Sequence, residues 1–152
     1  MVPEVSLRAA AAADLAELQG VYRRASLSND GDRPVLLASP DALTWDGEQI
    51  SSGRTLVAED ADGRILGFAT AIPYADGLEL EDLFVDPGAM RRGIATQLVS
   101  RLVEQARREG IGWIEVTANP HAAAFYASVG FTQVGTVETR FMPAPRLRVS
   151  TA

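Results

Sequence analysis

A chain of 152 residues is the size of one domain with a single core, and 47% hydrophobic with 22% charged residues suits a soluble globular protein. No apolar run approaches the roughly 18 residues that span a bilayer. The absence of cysteine excludes disulfides, thiolate metal sites and a cysteine nucleophile, a single histidine argues against a His-based metal cluster, and a net charge of −6 argues against nucleic acid. The start, MVPEVSLRAA, has neither the basic nor the apolar region of a signal peptide, so a cytoplasmic location is expected.

Taken along the chain, EVSLRA (4–9) alternates weakly and predicts a first strand. From Ala12 to about Leu27, Leu15, Leu18, Val21, Tyr22 and Ala25 recur at helical steps, with Asp14 near the positive end of the helix dipole. SNDGDRP reads as a loop, followed by two short helical pieces around Val35–Leu37 and Pro40–Ile50. Between Ser26 and Ile50 five acids (Asp30, Asp32, Asp41, Asp46, Glu48) stand against one base, Arg33. TLVAED (55–60) and RILGFATAI (64–72) form a hairpin turned at Asp62–Gly63. A second turn at Tyr74–Gly77 leads into LELEDLFV (78–85), which Asp86–Pro87–Gly88 stops. Ile94, Ala95, Leu98, Val99, Leu102, Val103 and Ala106 make one helical stripe, closed by Gly110. WIEVTA (113–118) is a strand, HAAAFYASV a short helix ended by Gly130, and FTQVGTV (131–137) and PRLRVS (145–150) are two more strands. Pro143 and Pro145 are expected to restrict the last strand to an edge or a late start. The order βα(α)βββαβαββ describes a mixed α/β domain over residues 1–152 with a sheet of about seven strands flanked by helices. Strand 78–85, helix 94–109 and strand 113–118 form a crossover with parallel strands.

The stretch DPGAMRRGIATQLV (86–99) is a loop suited to phosphate at the start of a helix, where unpaired N–H groups and the helix dipole favour an anion. A Walker loop needs Lys-Ser/Thr after its second glycine, and Ile94–Ala95 stand there instead. A dinucleotide fingerprint needs G-x-G-x-x-G, which the Gly88…Gly93 spacing does not supply.

The remaining pattern, (Q/R)-x-x-G-x-(G/A) after a strand, resembles the signature of the GCN5-related N-acetyltransferase (GNAT) family, with Met90 in place of the usual Gln or Arg. NPHAAAFYASVGF (119–131) is similar to the family's second signature, N-x-x-A-x-x-F/Y-Y-x-x-x-G-F. The resemblance implies a splayed sheet with acetyl-CoA entering between strands 78–85 and 113–118. It implies that Met90, Arg91, Arg92, Gly93, Ile94, Ala95 and Thr96 hold the diphosphate, and that the backbone at Phe84 and Val85 pairs with the pantetheine. Asn119 and Phe125 would also contact the cofactor. Tyr126 would be the general acid that protonates the departing CoA thiolate; its reference pKa of about 10 suits a thiolate of about 8.5. His121 is read as a helix-start residue rather than a catalyst.

Carboxylates inside an apolar strand are unusual, and Glu81 and Asp82 lie in one. Alternation puts Glu79, Glu81, Leu83 and Val85 on one face and Leu80, Asp82 and Phe84 on the other. An alkylamine of pKa about 10.4 costs about 4.6 kcal/mol to deprotonate near neutral pH, so a base is useful. Glu81 is the favoured base, with Asp82 as a substrate contact or the alternate. Lacking a cysteine, the chain suits direct attack by a primary amine on the thioester in a ternary complex. The acidic border points to a small amine-bearing acceptor. A protein lysine or N-terminus is the second acceptor class, and a non-catalytic acyl-CoA-binding module is the alternative function. No metal, membrane or nucleic-acid partner is expected. The tail FMPAPRLRVS resembles an exposed edge and suggests a homodimer.

Overall fold

The weakly alternating SLRA is β1 (Ser6–Ala9) in a computed structural model that describes residues 5–28, 37–38, 43–139 and 143–152. A single turn of 3-10 helix (Ala12–Asp14) runs into α1 (Leu15–Ser26). Then come β2 (Thr55–Glu59), β3 (Ile65–Tyr74), β4 (Gly77–Val85), α2 (Ile94–Arg108), β5 (Trp113–Thr117), α3 (Ala123–Ser128), β6 (Thr132–Glu138) and β7 (Pro143–Ser150). The seven strands form one sheet in the order β1-β2-β3-β4-β5-β7-β6. β4 and β5 are parallel, with Leu78 opposite Ile114 and Glu79 opposite Glu115, as the crossover predicts. Of the two helical pieces expected over 35–37 and 40–50, residues 35–36 and 40–42 lie outside the described residues, as do Asp30, Asp32, Arg33 and Asp41. Residues 44–50 are described and form no helix, with Gly47 among them and no apolar stripe at helical spacing to hold one. Of that stretch, residues 48–50 form a turn closed by the Ile50 N–H on the Gly47 carbonyl at 3.0 Å.

The chain divides into two compact units, Met1–Thr70 with Asp82–Leu98 and Ala71–Glu81 with Val99–Ala152. In the first, the apolar stripe of α1 lays Leu18 and Val21 against Trp45, Val57, Ile65 and Phe68. Each such side chain, once buried, contributes about 1.5–3 kcal/mol. Phe68 packs on Trp45 at 4.8 Å and on Phe84 at 5.6 Å between ring centroids, and Tyr22 of α1 meets Phe84 edge-on at 4.8 Å. Asp14 closes the start of α1: its carboxylate takes the Ala11 N–H at 2.7 Å and the Arg8 guanidinium at 2.8 Å.

In the second unit, Ile114 pairs with Val149 and Val116 with Leu147, all four buried. Gly77 is required by close approach, since a Cβ there would stand 2.2 Å from the Trp113 ring. α2 ends in a left-handed Gly110 (φ 75°), with the Ile111 N–H reaching back to the Ala106 carbonyl at 2.8 Å.

The last strand overturns the expectation set by its prolines. β7 starts at Pro143 and lies inside the sheet between β5 and β6, so β6, not the tail, forms the edge. The reason is directional. A strand residue aims its N–H and C=O to the same side, and the Pro145 carbonyl accepts the Ala118 N–H at 2.9 Å. The missing donors of Pro143 and Pro145 therefore face the β5 side, at the end of its ladder, where Thr117 opposite Arg146 is followed by Ala118. The β6 side keeps its donors.

The turn between β3 and β4 holds Ala75 at φ 51°, in the left-handed region where a Cβ is strained. Ala75→Gly should stabilise the protein by about 0.5–1 kcal/mol, read as a higher unfolding temperature.

Candidate active site

The phosphate-loop stretch begins where β4 ends, on an acid that is 4% exposed. The Asp86 N–H donates to the Leu66 carbonyl at 2.8 Å. Its Oδ1 accepts the Gly88 N–H at 3.1 Å, and its Oδ2 accepts Arg24 Nε at 3.0 Å and Nη2 at 2.7 Å. Burial alone would raise this carboxyl; Arg24 and the Gly88 N–H outweigh it and hold it below the ordinary carboxylate range. A short 3-10 turn, Pro87–Ala89, follows.

Arg91 (φ 66°) and Gly93 (φ 73°) then both take the left-handed conformation. Gly93 has open space where a Cβ would stand, and its carbonyl accepts the Gln97 N–H at 3.0 Å, closing the first turn of α2. The N–H groups of Ile94, Ala95 and Thr96 thus stand in the opening turn of a helix, where the helix itself offers them no acceptor. Ile94 is 2% exposed and plugs that turn into the core, 3.2 Å from where a Gly67 Cβ would be. Met90, Arg91, Arg92 and Thr96 are exposed and Ala95 is half-buried. A diphosphate fits such a surface: bare backbone donors, no side chain over Gly93 and two guanidinium groups beside it.

β4 carries the candidate base. Glu81 is exposed, whereas Asp82 is half-buried and accepts the Trp45 indole N–H at 3.0 Å. Burial pushes the Asp82 carboxyl up; the Trp45 and Thr70 hydrogen bonds oppose this, and the Asp46 charge adds to it. Thr70 is itself tied to Thr55 through their hydroxyls at 3.0 Å. Burial also raises the Tyr22 phenol, with the Asp82 charge adding and a Ser26 hydrogen bond opposing. Phe84 and Val85 are half-buried at the end of the strand.

In the second unit, Asn119 Oδ1 accepts the His121 N–H at 2.9 Å and opens the 3-10 turn Pro120–Ala122 that leads into α3. His121 is exposed in that turn, as a helix-start residue should be. Tyr126 is 6% exposed and packs edge-on against Phe125 at 5.3 Å and Phe131 at 5.1 Å. Burial pushes its phenol up from the ordinary tyrosine value.

The model of the acetyltransferase (GNAT) family matches residues 11–131, which takes in the loop, Glu81 and Asp82 of β4, and Tyr126. The chain belongs to the GNAT family. It is 37% identical over 115 residues to a streptothricin acetyltransferase of Streptomyces lavendulae, covering 68% of this chain and 60% of that protein. A [ribosomal protein bS18]-alanine N-acetyltransferase of Salmonella typhimurium is 34% identical over 86 residues, covering 55% of this chain and 57% of that protein. The chain thus matches less than two thirds of either relative. The PaiA N-acetyltransferase of Thermoplasma acidophilum, solved with coenzyme A, shares the fold with a TM-score of 0.75 at 18% identity, over 97% of this chain and 99% of that one.

Several partners in this GNAT protein were not among the residues singled out from sequence. Trp45 meets Asp82 across 37 positions, and Arg24 meets Asp86 across 62. The second unit holds a charged array on β4, β5 and β7. Arg146 bridges Glu79 and Glu115 and touches Thr117 Oγ1 at 3.0 Å, while Arg148 pairs with Glu115 and stacks over Trp113 at 4.4 Å. Glu115 is buried, yet the two arginines hold its carboxyl below the ordinary range. One local signal was available for the first unit: Gly20 stands inside a helix, where glycine is unfavourable.

Proposed function

We propose that the chain is an acetyl-CoA-dependent N-acetyltransferase that moves an acetyl group to a primary amine by direct attack within a ternary complex. The observation that carries this reading is the loop in which Arg91 and Gly93 are both left-handed ahead of α2, in a chain of this family. The backbone donors of residues 93–96 receive the diphosphate, with Arg91 and Arg92 adding attraction. The strand end at Phe84–Val85 offers backbone groups to the pantetheine and an N–H to polarise the thioester carbonyl.

The environments of the two acids favour Asp82 over Glu81 as the base. Asp82 is half-buried, raised and held by an indole N–H, whereas Glu81 is exposed. A desolvated carboxylate with a raised pKa is the better proton acceptor for an ammonium group. The amine attacks the thioester carbon, the C–S bond breaks, and the Tyr126 hydroxyl gives its proton to the sulfur. Burial keeps that phenol in its protonated form at neutral pH, the form a proton donor needs. No cysteine is present to carry an acyl-enzyme.

The acceptor is a small amine-bearing molecule with cationic character. Asp46 and Asp82 are close enough for their charges to oppose one another, and a cation relieves that repulsion. The names of the relatives, streptothricin and a ribosomal-protein alanine, span both the small-molecule and the protein acceptor classes. A cytoplasmic location and a homodimer belong to the same proposal. Among the described residues no helix is long and apolar enough to cross a membrane, and edge strand β6 is exposed along its length, with Val134 53% exposed.

A panel of amines assayed for CoA release from acetyl-CoA tests the reading. Turnover with cationic amines is expected. Turnover confined to neutral alcohols or acidic amino acids refutes the acceptor class, and tight CoA binding without turnover on any amine leaves an acyl-CoA-binding module.

A further inference from the structure

A left-handed arginine in an exposed loop is a costly conformation, and it persists only where the surroundings over-determine it. The loop's fixed end is Asp86. This buried acid spends one oxygen on the Gly88 N–H inside the loop and the other on Arg24 of α1, while its own N–H is held by Leu66 of β3. The partners are unequal in exposure: the Asp86 side chain is 5% exposed and that of Arg24 54%. A second guanidinium, Arg64, stands farther off at 3.9 Å.

An independent feature of α1 points to the same pair. Gly20 lies inside the helix, where glycine is the least favourable residue after proline. Nothing in its backbone asks for glycine, since its φ is not positive. A Cβ at this position would stand 3.0 Å from Arg24 Nη1 and 3.7 Å from its Cζ. The bare backbone one turn earlier is therefore the bed on which the Arg24 guanidinium lies to reach Asp86.

We propose that Gly20, Arg24 and Asp86 form a clamp that sets the shape of the phosphate loop, so that Arg24 and Asp86 are positioning residues for coenzyme A although neither touches it. This rests on the reading of the 86–96 loop as the coenzyme A diphosphate site. The clamp acts at the root of the loop. With Asp86 held on the Gly88 N–H, the 3-10 turn Pro87–Ala89 is anchored at its first residue, and Arg91 and Gly93 follow in their left-handed conformations. Without Arg24, the buried carboxylate keeps only the weaker Arg64 and the Gly88 N–H, and the loop is free to relax from its left-handed residues.

The test is calorimetric binding of coenzyme A itself, together with KM for acetyl-CoA, kcat and the unfolding temperature. Arg24→Gln should weaken coenzyme A binding and raise KM for acetyl-CoA by about tenfold, with kcat little changed. Arg24→Lys should recover part of the affinity, because it restores charge without the two-pronged contact. Gly20→Ala is the discriminating variant. Alanine favours the helix, so the unfolding temperature should stay level or rise while coenzyme A affinity falls. Unchanged affinity in both Arg24→Gln and Gly20→Ala overturns the clamp. So does a loss of affinity that only ever accompanies a loss of stability. A wild-type protein that fails to bind coenzyme A refutes the loop reading itself, which is a different result.

Discussion

Tyr126→Phe should lower kcat by about 100-fold while leaving coenzyme A affinity and the fold intact, because the phenol's proton is its only irreplaceable contribution. The ring sits between Phe125 and Phe131, and phenylalanine keeps that packing. The unfolding temperature should therefore change little. The pH profile supplies a second reading. A phenol in water titrates near about 10, and burial moves Tyr126 above that. The acid therefore stays protonated through the alkaline range, and kcat should show no fall from Tyr126 ionisation up to about pH 10. Steady-state kinetics with a good amine acceptor, beside calorimetry with coenzyme A, makes the measurement. Wild-type kcat in Tyr126→Phe would mean that solvent protonates the thiolate and that the ring is core packing alone.

What could be read from sequence follows the range of the interaction that fixes it. The stripe of α2, the Asp62–Gly63 turn and the left-handed Gly110 and Gly130 are set by neighbours within a few positions, and all lie where periodicity puts them. The loop after β4 was legible for the same reason: a strand stop, two arginines and a glycine at a helix start are local facts. The partner of Asp82 was not. Trp45 lies in the region least legible by pattern, and no spacing rule brings an indole N–H to a carboxylate 37 positions away. The prolines of β7 misled because a proline's cost in a sheet depends on which neighbour its nitrogen faces, and that is decided by topology. β6 alternates as a half-buried strand would, yet all seven of its residues are exposed at the sheet edge.

Asp82 and Asp86 lie four positions apart and have opposite electrostatics. Both are withdrawn from water, and burial alone would raise both. Asp86 meets a guanidinium and ends below the ordinary range; Asp82 meets an indole, a hydroxyl and another acid and ends above it. The pair thus divides the work of one strand end. The lowered acid stays charged and holds structure, while the raised acid is free to exchange a proton. An arrangement that costs folding energy at one acid and gains it at the other is what a site requires when only one of the two is to react.

Asp82→Asn is accordingly expected to trade activity for stability. It should cut kcat/KM for the amine by about 100-fold at neutral pH and abolish the acidic limb of the pH profile, which in the wild type lies above the ordinary carboxylate value. The asparagine carbonyl still accepts the Trp45 N–H, so the packing of the indole survives. The stability effect has the opposite sign. In the folded protein Asp82 keeps its proton to a higher pH than in the unfolded chain, so the native state binds more protons in that window and loses stability as pH rises through it. That loss accumulates as pH rises toward neutrality in the wild type and is absent from the variant. The unfolding temperature of Asp82→Asn should therefore exceed that of the wild type at pH 7, and the gap should close as pH falls below the ordinary carboxylate range. Glu81→Gln, at an exposed position, should leave both quantities near the wild-type values. The reverse pattern, a slow Glu81→Gln beside an active Asp82→Asn, would move the base to Glu81 and leave Asp82 as a contact for the cationic acceptor.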